Sequence, residues 1–202
     1  MKPEDYGYVV KNNLCLFQKG PLSNWWGGFK GQNGGFGIPW YMMVETPKII
    51  NWLRSNGYDI ALDHQWNCVE QYMMAAKAAM FDDIKTFQKI LNTTHPEEQK
   101  KLGRGVNGFQ PEVWNNRKFW IVGDAITAKF DQNYELQVFL EQFHPQTIFA
   151  EAAPWDKIWG IGLGPNDSKA LDINTWEGEN FLGKIISRVR MDMDIERKIK
   201  DE

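Results

Sequence analysis

Between Cys68 and Phe81 the chain places Val69, Tyr72, Met73, Ala76, Ala79 and Met80 at spacings of three, four and seven. That recurrence marks one face of an α-helix, so any fold must pack this segment against other elements. The same segment carries Glu70 and Lys77, two turns apart and almost in line beside the apolar stripe. Their separation along the axis is about 10 Å, at ~1.5 Å per residue. This is too far for an i,i+4 ion pair, yet two long side chains can converge on one ligand across it. The competing reading is a core helix whose Glu and Lys reach solvent at its edges.

The rest of the sequence punctuates in helical lengths. Tyr8-Val9-Val10, a Lys11-Asn12-Asn13 turn and Leu14-Cys15-Leu16-Phe17 read as a hairpin over residues 8–17. Six glycines between Gly27 and Gly37 mark a mobile or tightly turned loop, either the rim or lid of a pocket or a plain surface insertion. It lacks the Gly-Lys-Ser/Thr ending of a phosphate-binding loop. Pro47–Arg54 suits a short helix with Gly57 beyond its end. Asp82 or Asp83 can cap a helix carrying Ile84, Phe87, Ile90 and Leu91. Thr94-His95-Pro96-Glu97 has capping-box spacing and predicts another start. Phe119, Val122, Ile126 and Phe130 mark one more helix, and Leu136, Phe139, Leu140 and Phe143 the next. Thr147–Glu151 reads as a strand leading into a Pro154-Trp155-Asp156 turn, and Asn180 to about Lys198 as the last helix.

Composition excludes several classes. A net charge of −3 and dispersed basic residues do not suit wide, sequence-independent clamping of nucleic acid, although a strand end or a single modified base remains compatible. The C-terminal Arg/Lys run alternates with Asp192, Asp194 and Glu196, as a solvated helix end does. His64, His95 and His144 are scattered, so no metal site is expected. Two cysteines, a polar Met1-Lys2-Pro3-Glu4-Asp5 start and no long apolar run predict a cytoplasmic protein with reduced thiols, no signal peptide and no membrane span. Ten Trp exceed the ordinary, and each is either core or a flat face for stacking on a base. The 202 residues suit one domain.

Trp66, followed by Glu70-Gln71-Tyr72 and Ala75-Ala76-Lys77, resembles the core motif of the NADAR (YbiA-like) family of N-glycosidases. Further matches follow in order. They are Leu22-Ser23-Asn24-Trp25-Trp26, Leu102-Gly103-Arg104, Trp114 with Arg117, Ala128-Lys129-Phe130, Ala153-Pro154-Trp155-Asp156, Trp159-Gly160-Ile161-Gly162-Leu163 and Asn180-Phe181-Leu182-Gly183. The resemblance spans residues 20–190 and implies a mainly α (α+β), YbiA-like helical domain with a few short strands. Residues 1–202 are expected to form that single domain, with 1–19 as an N-terminal hairpin extension.

The resemblance also implies cleavage of a C–N bond at the anomeric carbon of a ribose. On a single carboxylate and a single amine, such chemistry points to a lysine Schiff base. By that resemblance Lys77 is assigned as nucleophile, with apolar neighbours to desolvate it, and Glu70 as general acid/base. Where the family often has His after the glutamate, this chain has Gln71, which can position but cannot transfer protons near neutral pH. Arg104 suits a phosphate or pyrophosphate. Trp114 and Trp159-Gly160 suit base stacking, and Asn24 and Asn180 ribose hydroxyls. Trp25 and Tyr72 join the substrate-binding set. Asp156 orients ribose or an arginine, or else serves its own turn. The expected substrate is ADP-ribosylated guanine in DNA, RNA or a nucleotide, releasing ADP-ribose, with no cofactor and no obligate protein partner. Phosphoribosylated intermediates of riboflavin synthesis are the alternative substrate, and a non-catalytic ADP-ribose-binding module the alternative function.

Overall fold

A computed structural model describes residues 1–200 of the chain. In order, the elements are β1 (Val9–Lys11), β2 (Leu14–Phe17), β3 (Phe36–Pro39), α1 (Pro47–Ser55), β4 (Asp63–Trp66), α2 (Val69–Met80), α3 (Ile84–Leu91) and α4 (Pro96–Arg104). There follow α5 (Pro111–Asp131), α6 (Tyr134–Glu141), β5 (Ile148–Glu151) and α7 (Phe181–Lys200), with short 3-10 turns between. The mainly helical, α+β class read from the sequence is therefore what folds. The chain divides into two compact units, residues 24–133 and a second built from residues 1–23 and 134–202.

The unit made from both ends of the chain is organised on a small sheet, β1-β2-β5. Asn12 and Asn13 both hold positive φ, which is what a two-residue hairpin turn requires, and β1 pairs β2 antiparallel there. β2 then pairs β5 in parallel, Leu14 opposite Ile148 through Phe17 opposite Glu151. One side of the sheet is filled by Leu14, Leu16, Ala150, Ala152, Ile161, Leu163 and Ala170. α7 packs on β5 through Leu182, Ile185, Ile186 and Val189.

In residues 24–133, α2 is central, with α3, α4, α5 and β4 packed around it. The expectation of a single apolar stripe is corrected here. Every α2 residue except Lys77 and Met80 is buried, because neighbours cover it on several sides. β3 and β4, which no periodicity announced, form a two-stranded antiparallel sheet with Ile38 opposite His64. β3 takes the end of the glycine-rich segment. The segment begins tightly packed, since a Cβ on Gly27 would sit 2.4 Å from the Asn67 carbonyl oxygen and φ there is +100°. Residues 29–31, by contrast, are exposed, and a Cβ on Gly31 would meet nothing within 4 Å.

Asp83 caps α3, accepting from Thr86 N at 3.1 Å. The capping box expected at Thr94 does not form. His95 is the N-cap residue of α4 without a side-chain cap bond, and Pro96 fixes the first turn instead. α5 begins eight residues before its predicted stripe, at Pro111, because its buried face includes Lys118 and Lys129, which a hydropathy pattern does not register. Among the described residues, no helix is long and apolar enough to cross a membrane.

Candidate active site

The first turn of α2 holds Glu70, only 2% exposed, so the reading in which it reaches solvent does not hold. Its backbone N–H donates to the Asn24 carbonyl at 3.0 Å, and its carboxylate Oε2 accepts from Trp25 Nε1 at 3.2 Å. The segment before the glycine-rich loop is thus tied to the helix start, where a carboxylate also meets the positive end of the helix dipole. Lys100 on α4 stands 5.7 Å from the Trp25 ring centroid, so indole, carboxylate and ammonium lie in one cluster.

Gln71 is spent on positioning. Its Oε1 accepts from Asn67 N at 2.9 Å, and its Nε2 donates to the carbonyls of Ile90 and Thr93. These bonds tie the helix start to the end of α3. Cys68 Sγ donates to Gln99 Oε1 at 3.3 Å, and burial pushes its thiol up to about 12. A thiol so held is inert.

Two turns on, Lys77 is half-buried. Its Nζ donates to the Gly103 carbonyl at 2.8 Å and lies 4.0 Å from the Phe109 ring centroid and 6.0 Å from that of Trp114. Burial, and then repulsion from Arg104, lower its pKa from the ordinary lysine value. Both act in the direction that favours the neutral amine. Arg104 itself is exposed at the end of α4. Gly103 is required by contact: a Cβ there would lie 1.9 Å from Met74 Sδ and 3.0 Å from Met74 Cβ. Only a glycine lets α4 approach α2 closely enough for its carbonyl to reach Lys77.

Asn24 Oδ1 and the Tyr72 hydroxyl are buried without a hydrogen-bond partner among the described residues. Burial raises the Tyr72 pKa, and the nearby Asp124 adds to it, so the hydroxyl keeps its proton. Unsatisfied buried groups cost about 1–3 kcal/mol each, and in native proteins they call for an explanation.

Within residues 24–133, Trp25 meets Glu70, and Arg104 and Trp114 stand near Lys77. Gln71, by contrast, bonds to Asn67, Ile90 and Thr93, and the Tyr72 ring packs against those of Phe36 and Trp66. Asp156, Trp159, Gly160 and Asn180 belong to the other unit, where they knot a loop to β5 and α7. Asp156 Oδ1 accepts from the backbone N–H groups of Ile158 and Trp159, which is its turn role. Asn180 Nδ2 donates to the Phe149 carbonyl, and its Oδ1 accepts from Glu151 N. Its amide is committed to the backbone rather than held ready for a ribose. Trp159 packs 6.1 Å from Phe181, and its carbonyl accepts from Leu182 N.

Sequence reasoning missed Phe109 and Lys100. Phe109 sits in a loop without periodicity, and Lys100 is one of several lysines on a polar helix. It also quoted Lys129 only as part of a motif. This lysine is completely buried on α5, and burial pushes its amine down to about 7. Among the described residues, no three His, Cys, Asp or Glu side chains cluster as metal ligands would.

Helix α2 thus carries a buried glutamate held by an indole and, two turns on, a half-buried lysine held by the Gly103 carbonyl. The chain belongs to the NADAR domain family, whose sequence model matches residues 18–194. It is 41% identical to N-glycosidase R617 of Acanthamoeba polyphaga mimivirus over 135 residues, 67% of this chain and 77% of that protein. Protein irg-1 of Caenorhabditis elegans is 33% identical over 138 residues, 67% of this chain and 65% of that one. N-glycosidase YbiA of Escherichia coli K12 is 26% identical over 132 residues, covering 65% and 73% of the two chains. The NMR structure of E. coli YbiA shares the fold, with a TM-score of 0.63 at 20% identity over 97% of this chain and 94% of that one.

Proposed function

We propose that this protein is an N-glycosidase that hydrolyses the ribose C1′–N bond of ADP-ribosylated guanine through a Schiff base on Lys77. The observation that carries the reading is the Lys77 amine, half-buried against Phe109, anchored by the Gly103 carbonyl and repelled by Arg104. A neutral lysine can donate to that carbonyl and still present its lone pair. Relatives named N-glycosidases support the reaction class.

The steps balance as a hydrolysis. The ribose ring opens by breaking C1′–O4′, with O4′ taking a proton. The Lys77 nitrogen bonds to C1′, and the C1′–N bond to guanine breaks as the leaving nitrogen receives a proton. Glu70 is the group assigned to deliver and recover protons. Water then adds to the imine, returning the free amine and an aldehyde that recloses to ADP-ribose. Asn24 Oδ1 and the Tyr72 hydroxyl are suited to sugar hydroxyls, which would supply the partners these atoms lack. Arg104 and Lys100, one turn apart on α4, offer two cations to a diphosphate. That pairing favours an ADP-ribosyl group over a single phosphate.

The test is incubation with an oligonucleotide bearing ADP-ribosylated guanine, with mass spectrometry of both products. Restored guanine and free ADP-ribose are expected. Borohydride should trap a sugar adduct on the wild type and none on Lys77→Ala. Glu70→Gln should be slow yet folded. Normal cleavage by Lys77→Ala overturns the mechanism. Tight ADP-ribose binding without release would make the protein a binding module instead.

A further inference from the structure

On the far side of α4 from Trp25, a groove of about 430 Å³ runs between α3 and α4, lined by Lys85, Thr86, Lys89, Glu98, Lys101 and Asn107 among others. Lys85, Lys89 and Lys101 are exposed, and among the described residues none forms an ion pair with a carboxylate. The one carboxylate in the lining, Glu98, accepts from the Thr93 hydroxyl at 2.7 Å. Three ammonium groups lining one concavity give it a positive potential that attracts anions. In a chain of net charge −3 this is a local concentration, not the average surface.

The groove has a fixed frame. The buried Asp83 carboxylate accepts from Thr86 N at the start of α3, and from the backbone and side-chain N–H groups of Asn107. These bonds fasten the loop after α4 to α3. Two residues further on, the same loop places Phe109 over Lys77. One loop therefore forms a wall of the groove and the cover of the catalytic amine. α4 likewise presents Lys101 to the groove while Lys100 and Arg104 stand toward the Glu70 and Lys77 cluster. Lys100, Lys101 and Arg104 follow one another along this helix as a short crest of cations.

We propose that the groove between α3 and α4 binds the backbone phosphates of a nucleic-acid single strand whose modified guanine occupies the Glu70–Lys77 centre. Lys85 and Lys89 are one turn, about 6 Å, apart along α3, so successive phosphates of a flexible strand can follow them to Lys101. The guanine's placement rests on the function proposed above, whereas the groove's affinity for phosphates does not. The crest is short, in keeping with a few phosphates beside one base and not with a long clamp.

The experiment uses the full chain and a fluorescent, unmodified single-stranded DNA 12-mer, read by anisotropy. Wild type should bind with a log–log salt slope of about −2, from ~0.7 per neutralised phosphate of a single strand. A triple Lys85→Glu, Lys89→Glu, Lys101→Glu variant should bind at least tenfold more weakly. On ADP-ribosylated substrates, the same variant should lose at least tenfold in kcat/KM on the oligonucleotide and nothing on the mononucleotide. If the triple variant fails to fold, the three single Lys→Gln variants replace it, each with a smaller loss. Unchanged oligonucleotide binding, or equal losses on both substrates, overturns the proposal. Displacement of the 12-mer by pyrophosphate at equal phosphate concentration overturns the strand in favour of a free phosphate. Absence of cleavage on either substrate counts against the N-glycosidase reading alone, and the binding arm still decides the groove.

Discussion

Lys77 Nζ stands 4.0 Å from the centroid of the Phe109 ring, so one side chain both dries the amine and offers it a negative π-face. The two effects oppose each other: apolar cover favours the neutral amine, while the ring face favours the ammonium. Burial is the leading cause of the lowered Lys77 pKa, so the cover wins.

Phe109→Leu keeps cover and removes the π-face. It should move the acidic limb of the cleavage rate toward lower pH, with about two- to fivefold more neutral amine at a fixed pH on that limb, for a contact of about 0.5–1 kcal/mol. Phe109→Ala readmits water and should move the limb the other way. Single-turnover rates against pH check both. Shifts of the same sign would mean that the ring acts only as a support.

The carbonyl that anchors Lys77 depends on the Gly103–Met74 contact. Gly103→Ala should destabilise the protein by about 1–3 kcal/mol through overpacking, and should slow cleavage because α4 must back away from α2. Met74→Ala opens space at the same point. The double variant should therefore be more stable than the sum of the single losses by about 1 kcal/mol or more. Urea unfolding of all four proteins closes the cycle, and additive losses would show that the clash is relieved elsewhere.

How much of this was legible in the sequence depends on what each residue had to announce. Glu70, Lys77 and the helix between them were readable because burial and spacing leave a periodic trace. The hairpin, α3, α6, β5 and α7 were readable from turn residues and stripes. β3 and β4 were not: Asp63-His64-Gln65-Trp66 alternates nothing that a hydropathy scale registers, and its pairing is decided by a partner some 27 residues away. The start of α5 was hidden because Lys118 and Lys129 occupy its buried face. Arg104 was found beside its glycine, but the reason for Gly103 is Met74, a tertiary neighbour. Lys85, Lys89 and Lys101 look like an ordinary solvated surface until folding brings two helices together.

His64 lies between aromatic rings, 4.2 Å from the centroid of Trp40 and 4.6 Å from that of Trp66, and burial pushes its pKa down to about 4. The unfolded chain takes up a proton near pH 6.5 that the folded chain refuses until about pH 4. Between those values the unfolded state binds more protons, so stability falls as pH falls. Wild type should lose about 1–3 kcal/mol more than His64→Phe between pH 6.5 and 4. Urea titrations at both pH values measure it, and equal losses would mean that His64 protonates in place.

Lys129 gives the opposite end of the same argument. Its amine is completely buried and pushed down to about 7, while an unfolded lysine titrates near 10.4. Above about pH 7 the folded chain has released a proton that the unfolded chain still holds, so stability rises with pH. The window closes near pH 8.5. There the unfolded cysteines begin to ionise, whereas Cys15 and Cys68 in the fold hold their protons to about 12, which reverses the slope. Within that window, wild type should gain up to about 1.4 kcal/mol per pH unit relative to Lys129→Met. The comparison cancels the other titrating groups except Cys68, whose charge interacts with that of Lys129. Parallel stability curves would show that the amine stays charged inside the fold, held by partners strong enough to offset its burial. Diverging curves would make Lys129 a second neutral amine in a protein whose proposed chemistry needs one.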